Sequence, residues 1–156
     1  MLKLVIFDMD GVLIDSEDAI TKAALEALKS GWNIDAKYED FKQFTGMGEN
    51  KFIGSVAEMY GVPYTLEMKD LTYKIYCDTA VERVTVYPWS KKLIESLLNI
   101  GLKTAVASAA DTVKVKCNLE CIGIDTSCFS ALITGSEVEK NKPNPDIFLA
   151  AAKKAG

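Results

Sequence analysis

Four consecutive apolar residues, Leu4-Val5-Ile6-Phe7, run directly into Asp8-Met9-Asp10-Gly11 near the start of the chain. A half-buried antiparallel strand would alternate apolar with polar residues. An unbroken run instead predicts a strand covered on both faces, as in a parallel sheet flanked by helices. Two carboxylates one residue apart at the end of such a strand add a second constraint. In open parallel sheets, ligands bind beyond the carboxyl ends of the strands.

The rest of the chain falls into two parts. After Ser16, which can cap a helix, Ala19, Ile20, Ala23, Ala24, Ala27 and Leu28 form one apolar helical face that Gly31 is expected to end. Further helices are read at 38–44, 50–60 and 66–81, and nothing between 16 and 86 reads as a sheet. From Pro88 the pattern alternates. Residues 90–100 form an amphipathic helix, and Lys103–Ala107 a second buried strand that delivers Ser108. A helix starting at Asp111 or Thr112 follows, then a strand at Ala131–Thr134, then a helix with Pro145 at its first position. Strands separated by helices of about ten residues mean βαβ units and a doubly wound sheet. The expected fold is therefore α/β: a Rossmann-like parallel-sheet core of residues 1–15 and 87–156, with an α-helical insertion over 16–86. Residues 16–86 hold 12 acidic and 8 basic side chains, whereas the remainder holds 10 of each. The whole surplus of negative charge thus lies on the insertion.

Composition removes several chemistries. With no histidine, Ser-His-Asp and Cys-His nucleophilic schemes and histidine-based zinc sites are excluded. With Arg83 the only arginine, an anion has to be held by lysines, hydroxyls and backbone amides. The net charge of −4 and the lack of a basic tail argue against nucleic acid or an anionic membrane as partner. No export signal is read ahead of Asp8, so Cys77, Cys117, Cys121 and Cys128 are expected as reduced thiols. The expected compartment is the cytoplasm, or an organelle if a leader has been removed.

The predicted strands gather Asp8, Asp10, Ser108 and, beyond the third strand, Lys142 at one sheet edge. Paired carboxylates can hold a hard cation such as Mg²⁺ through oxygen, while a hydroxyl and an ammonium supply donors to an anion. Together they are equipment for holding a phosphoryl group. Taken singly, each has a structural reading. The two aspartates can end a strand, Ser108 can cap, and Lys142 can be a solvated surface side chain.

Leu4-Val5-Ile6-Phe7-Asp8-Met9-Asp10-Gly11-Val12-Leu13-Ile14-Asp15-Ser16 resembles the first motif of the haloacid dehalogenase-like hydrolase superfamily, in its β-phosphoglucomutase-like phosphatase branch. Ala105-Val106-Ala107-Ser108-Ala109 resembles the second motif, and Lys142-Pro143-Asn144-Pro145-Asp146-Ile147-Phe148 the third. The resemblance implies that the insertion is a helical cap. It implies Asp8 as the nucleophile forming an aspartyl-phosphate, and Asp10 as general acid and base. Mg²⁺ would sit on the Asp8 carboxylate and the Asp10 backbone carbonyl. Ser108 and Lys142, with Gly11 and Ala109 beside them, would hold the phosphoryl group of a small phosphorylated metabolite.

Two departures qualify it. The mutase members use a cap histidine and a cap arginine, where this chain offers Ile20 at the first and Glu49 and Lys51 near the second. Hydrolysis is therefore expected over phosphosugar mutation, which stays the alternative alongside a non-catalytic binding module. The family's fourth, acidic motif is expected after a further strand, whereas the sequence stops at Gly156. On this reading a sheet edge is left for a partner or a following segment to cover, and activity of the chain alone is expected to be impaired.

Overall fold

The computed structural model describes residues 2–140 and 142–156. The chain divides into two compact units, residues 1–15 with 85–156, and residues 16–84. In the first unit, β1 (Leu4–Phe7), β4 (Lys103–Ser108) and β5 (Ala131–Thr134) form a parallel sheet in the order β1-β4-β5. Phe7 is level with Val106, and Ser108 with Thr134, so the carboxyl ends of all three strands emerge at one edge. The unit's helices are α5 (Ser90–Asn99), α6 (Thr112–Ile122) and α7 (Asp146–Ala155).

Side chains alternate across the sheet, so Leu4 and Ile6, Ala105 and Ala107, and Ala131 and Ile133 share the face on which Ile147, Ala151 and Ala155 of α7 pack. Three alanines on this face allow the helix to approach closely. Full burial of a side chain such as Ile147 contributes about 1.5–3 kcal/mol. β4 is buried throughout except at Lys103. β1 departs from the expectation of two covered faces, because Leu4, Val5 and Ile6 are only half-buried. The reason is positional: among the described residues β1 pairs with β4 alone and so lies at a sheet edge.

Two short strands escaped the sequence. β2 (Ile14–Asp15) pairs antiparallel with β3 (Thr85–Val86), so strand structure does occur within 16–86, contrary to expectation. Strands of two residues are too short to show a period. α7 starts one residue later than predicted, with Pro145 as its N-cap.

The second unit is helical: α1 (Glu17–Trp32), α2 (Tyr38–Phe41) continued by a 3₁₀ turn (Lys42–Phe44), α3 (Glu49–Met59) and α4 (Leu66–Arg83). The predicted apolar face of α1 is buried. Ser16 occupies the N-cap position, but its side chain makes no capping bond. Gly31 does not end α1. The helix runs through it to Trp32 and stops at Asn33, which is left-handed at φ +54°. Gly31 instead serves packing: a Cβ there would lie 3.3 Å from Leu71 Cδ2 of α4. Phe41 and Phe52, with ring centroids 4.8 Å apart, join Ile53, Val56, Met68 and Tyr76 in the core. Arg83 reaches back to Glu26 at 2.7 Å. Cys77, Cys117, Cys121 and Cys128 are not joined by disulfides. Among the described residues no helix is long and apolar enough to cross a membrane.

Candidate active site

The period of two that governs β1 carries on past its end. Met9 is fully buried, while the side chains of Asp8 and Asp10 on either side of it are 36% and 37% exposed. The chain then turns back sharply. The Met9 carbonyl accepts from the amides of Val12, Leu13 and Ile14, and the Gly11 amide donates to the Ile14 carbonyl at 2.8 Å. The turn needs φ +79° at Gly11, a conformation that other residues adopt only under strain. Leu13 and Ile14, both fully buried, anchor its far side. A buried methionine flanked by two accessible carboxylates is thus built into the local sequence.

Lys142 comes from the segment between β5 and α7. Its Nζ lies 2.6 Å from Asp8 Oδ2 and donates to the Ala107 carbonyl at 3.2 Å. The same ammonium is 5.0 Å from the centroid of the Phe148 ring, a cation–π distance. Asp8 Oδ1 accepts from the Met9 amide at 2.8 Å, which orients the carboxylate. Asp8 and Lys142, 134 positions apart in sequence, are therefore in contact.

Ser108 ends β4 and is almost fully buried. Its hydroxyl accepts from the Ala110 amide at 3.2 Å, turned to the backbone of its own loop. That loop runs through Ala109 into α6, so backbone N–H groups follow Ser108 directly. The segment after β5 holds the loop in place. Gly135 N donates to the Ala110 carbonyl at 3.0 Å, Thr112 and Thr134 hydroxyls are 2.9 Å apart, and Ser136 Oγ donates to Asp111 at 2.9 Å.

One residue of the site was missed in the sequence. Lys114, in the first turn of α6, places Nζ 3.2 Å from Asp10 Oδ1, and its side chain is only 7% exposed. A lysine so removed from water needs a paired charge. The signal was present but faint: Lys114, Cys117 and Asn118 stand at i, i+3 and i+4 on the buried stripe of α6. The carboxyl edge thus carries two aspartates and two lysines in matched pairs.

The donors here are oxygens throughout, which suits a hard cation rather than zinc or copper. Among the described residues no group of three or more histidine, cysteine, aspartate or glutamate side chains is placed to hold a metal. Mg²⁺, which commonly takes one or two carboxylates and completes its shell with water and substrate phosphate, fits such a set.

The family model for haloacid dehalogenase-like hydrolases matches residues 5–156. The chain is 40% identical over 156 residues to the Arabidopsis thaliana protein SUPPRESSOR OF QUENCHING 1, chloroplastic, covering 97% of this chain and 15% of that protein. It is 26% identical over 158 residues to the bifunctional riboflavin kinase/FMN phosphatase of the same plant, covering 96% of this chain and 39% of the enzyme. It therefore spans well under half the length of either relative. Among solved structures, a hydrolase from Pseudomonas syringae superposes with a TM-score of 0.76 at 28% identity, over 100% of this chain and 71% of that one. With three motifs in order and a match over nearly its whole length, the chain belongs to the haloacid dehalogenase-like hydrolase family.

Proposed function

We propose that the protein is a phosphohydrolase acting on a small phosphate monoester, of the sugar-phosphate kind, through an aspartyl-phosphate on Asp8. The observation that carries this reading is the Asp8–Lys142 pair at the carboxyl edge of the sheet, with Asp10 two residues further on. In the first step an Asp8 carboxylate oxygen attacks phosphorus, the ester P–O bond breaks, and Asp10 gives its proton to the departing alkoxide. In the second, water attacks the same phosphorus, its proton passes to Asp10, and the Asp8–phosphate bond breaks to release orthophosphate. Lys142, Ser108 and the amides beside Ala109 hold the phosphoryl oxygens, and the turn at Gly11 sets the spacing of the two aspartates. The Asp8 carboxylate and the Asp10 backbone carbonyl would hold Mg²⁺, which when bound supplies positive charge against the phosphoryl group.

The phosphatase name of the FMN relative and the hydrolase name of the Pseudomonas structure support the reaction class. No nucleic acid or membrane is part of the reading. It places the protein in the cytoplasm, with an organelle as the second reading that the chloroplastic name of the Arabidopsis relative favours. A fluorescent fusion imaged in cells separates these two.

Hydrolysis of p-nitrophenyl phosphate tests the function. Asp8→Asn is expected to lower kcat by at least about 10³-fold. Asp10→Asn is expected to cost about 10²–10⁴-fold on an alkyl phosphate, where the leaving group needs its proton. Equal rates for wild type and Asp8→Asn would overturn the reading.

A further inference from the structure

Lys114 has no role in the chemistry set out above, yet it is a charged side chain only 7% exposed, on a helix, facing the carboxylate to which proton transfer is assigned. Burying an ammonium costs several kcal/mol unless it is paired. An apolar residue at this position of α6 would avoid that cost altogether. The other lysine of the site, Lys142, lies against Asp8 and the Ala107 carbonyl. The two ammonium groups therefore serve different aspartates.

From this geometry we infer that Lys114 is a positioning residue for Asp10, holding its carboxylate through Oδ1 in the orientation that takes a proton from water during hydrolysis of the aspartyl-phosphate. The inference rests on the phosphohydrolase reading. An ammonium carries three donors and no acceptor, so it can hold Asp10 through Oδ1 in either protonation state, most strongly as the carboxylate. A charge-assisted bond of this kind is about twice as strong as a neutral one. Its partner is mounted on a rigid helix of 11 residues, so the contact also fixes the rotation of the Asp10 side chain. The half-reaction that depends on Asp10 as an acceptor is the second one. There, water oxygen bonds to phosphorus, the water proton goes to Asp10, and the Asp8–phosphate bond breaks to give orthophosphate. In the first half-reaction Asp10 is the donor, to a leaving group that in p-nitrophenyl phosphate needs no proton.

The two halves separate kinetically with p-nitrophenyl phosphate. Its leaving group departs without needing a proton, and kcat/KM reports only the steps through the release of p-nitrophenolate. Lys114→Met is expected to lower kcat by about 10²-fold and to lower KM with it, leaving kcat/KM nearly unchanged. A burst of p-nitrophenolate, one per enzyme, should precede the slow steady state. Lys114→Arg should regain most of the lost kcat. If Lys114→Met does not fold, as judged by its circular dichroism and melting, the same constants read on Lys114→Gln decide the matter.

A fall in kcat/KM as large as the fall in kcat, with no burst, overturns the positioning role while the phosphohydrolase reading stands. Unchanged kcat in a folded variant overturns it equally. Wild type that turns over no faster than Asp8→Asn overturns the phosphohydrolase reading, and the role of Lys114 with it.

Discussion

At position 135 the backbone passes so close to the Ser108 loop that a Cβ would overlap the Ala109 carbonyl oxygen and lie 2.8 Å from its carbon. Gly135 is there for proximity, since its φ is not in the left-handed region. Gly135→Ala is expected to push the Ala109–Ala110 segment away, at a cost of about 1–3 kcal/mol in urea denaturation. Inorganic phosphate should also inhibit the variant more weakly. Unchanged stability and inhibition would show that the loop is not held by this contact. Gly135 and Lys114 share a lesson about legibility. The spacing Asp8-Met9-Asp10-Gly11 is local, so its turn could be read directly from residue types. Gly135 and Lys114 act through partners 26 and 104 positions away, Ala109 and Asp10, and residue type alone does not show those approaches.

Among the elements, those with an apolar run or face of several residues were legible and the two-residue strands were not. The buried face of α1 follows from a period of 3.6, and the strand β4 from its unbroken run of small apolar residues rather than from alternation. β2 and β3 have no period to show, and Gly31 was misread as a helix end because its packing partner, Leu71, lies 40 positions on. α2 is too short to stand on propensity and leans on a side chain. Asp40 Oδ2 accepts from the Lys37 amide at 2.8 Å and from the Tyr60 hydroxyl at 2.7 Å. The backbone bond from Lys37, and then the bond from Tyr60, hold the Asp40 carboxyl below the usual aspartate range. A depressed folded value means that the carboxylate's contribution is present above the unfolded value and is lost as pH falls through the folded one. The melting temperature should therefore drop below about pH 4 by less in Asp40→Asn than in wild type. Identical acid profiles would remove Asp40 as a contributor.

For the molecule as a whole, the α/β class and the family were legible because three motifs recur in order along a chain whose strand ends share one edge. The half-buried β1 could not be foreseen, because burial of an edge strand depends on its neighbours and not on its own residues. The central claim is that this edge performs phosphoryl transfer onto Asp8. The most direct measurement is to mix the protein with a phosphate monoester and Mg²⁺, quench in acid within one turnover, reduce with borohydride and sequence the peptides by mass spectrometry. The account predicts reduction of the acyl phosphate to homoserine at position 8, and none in Asp8→Asn. Ester hydrolysed with no modification at position 8, or with modification at another residue, would contradict it.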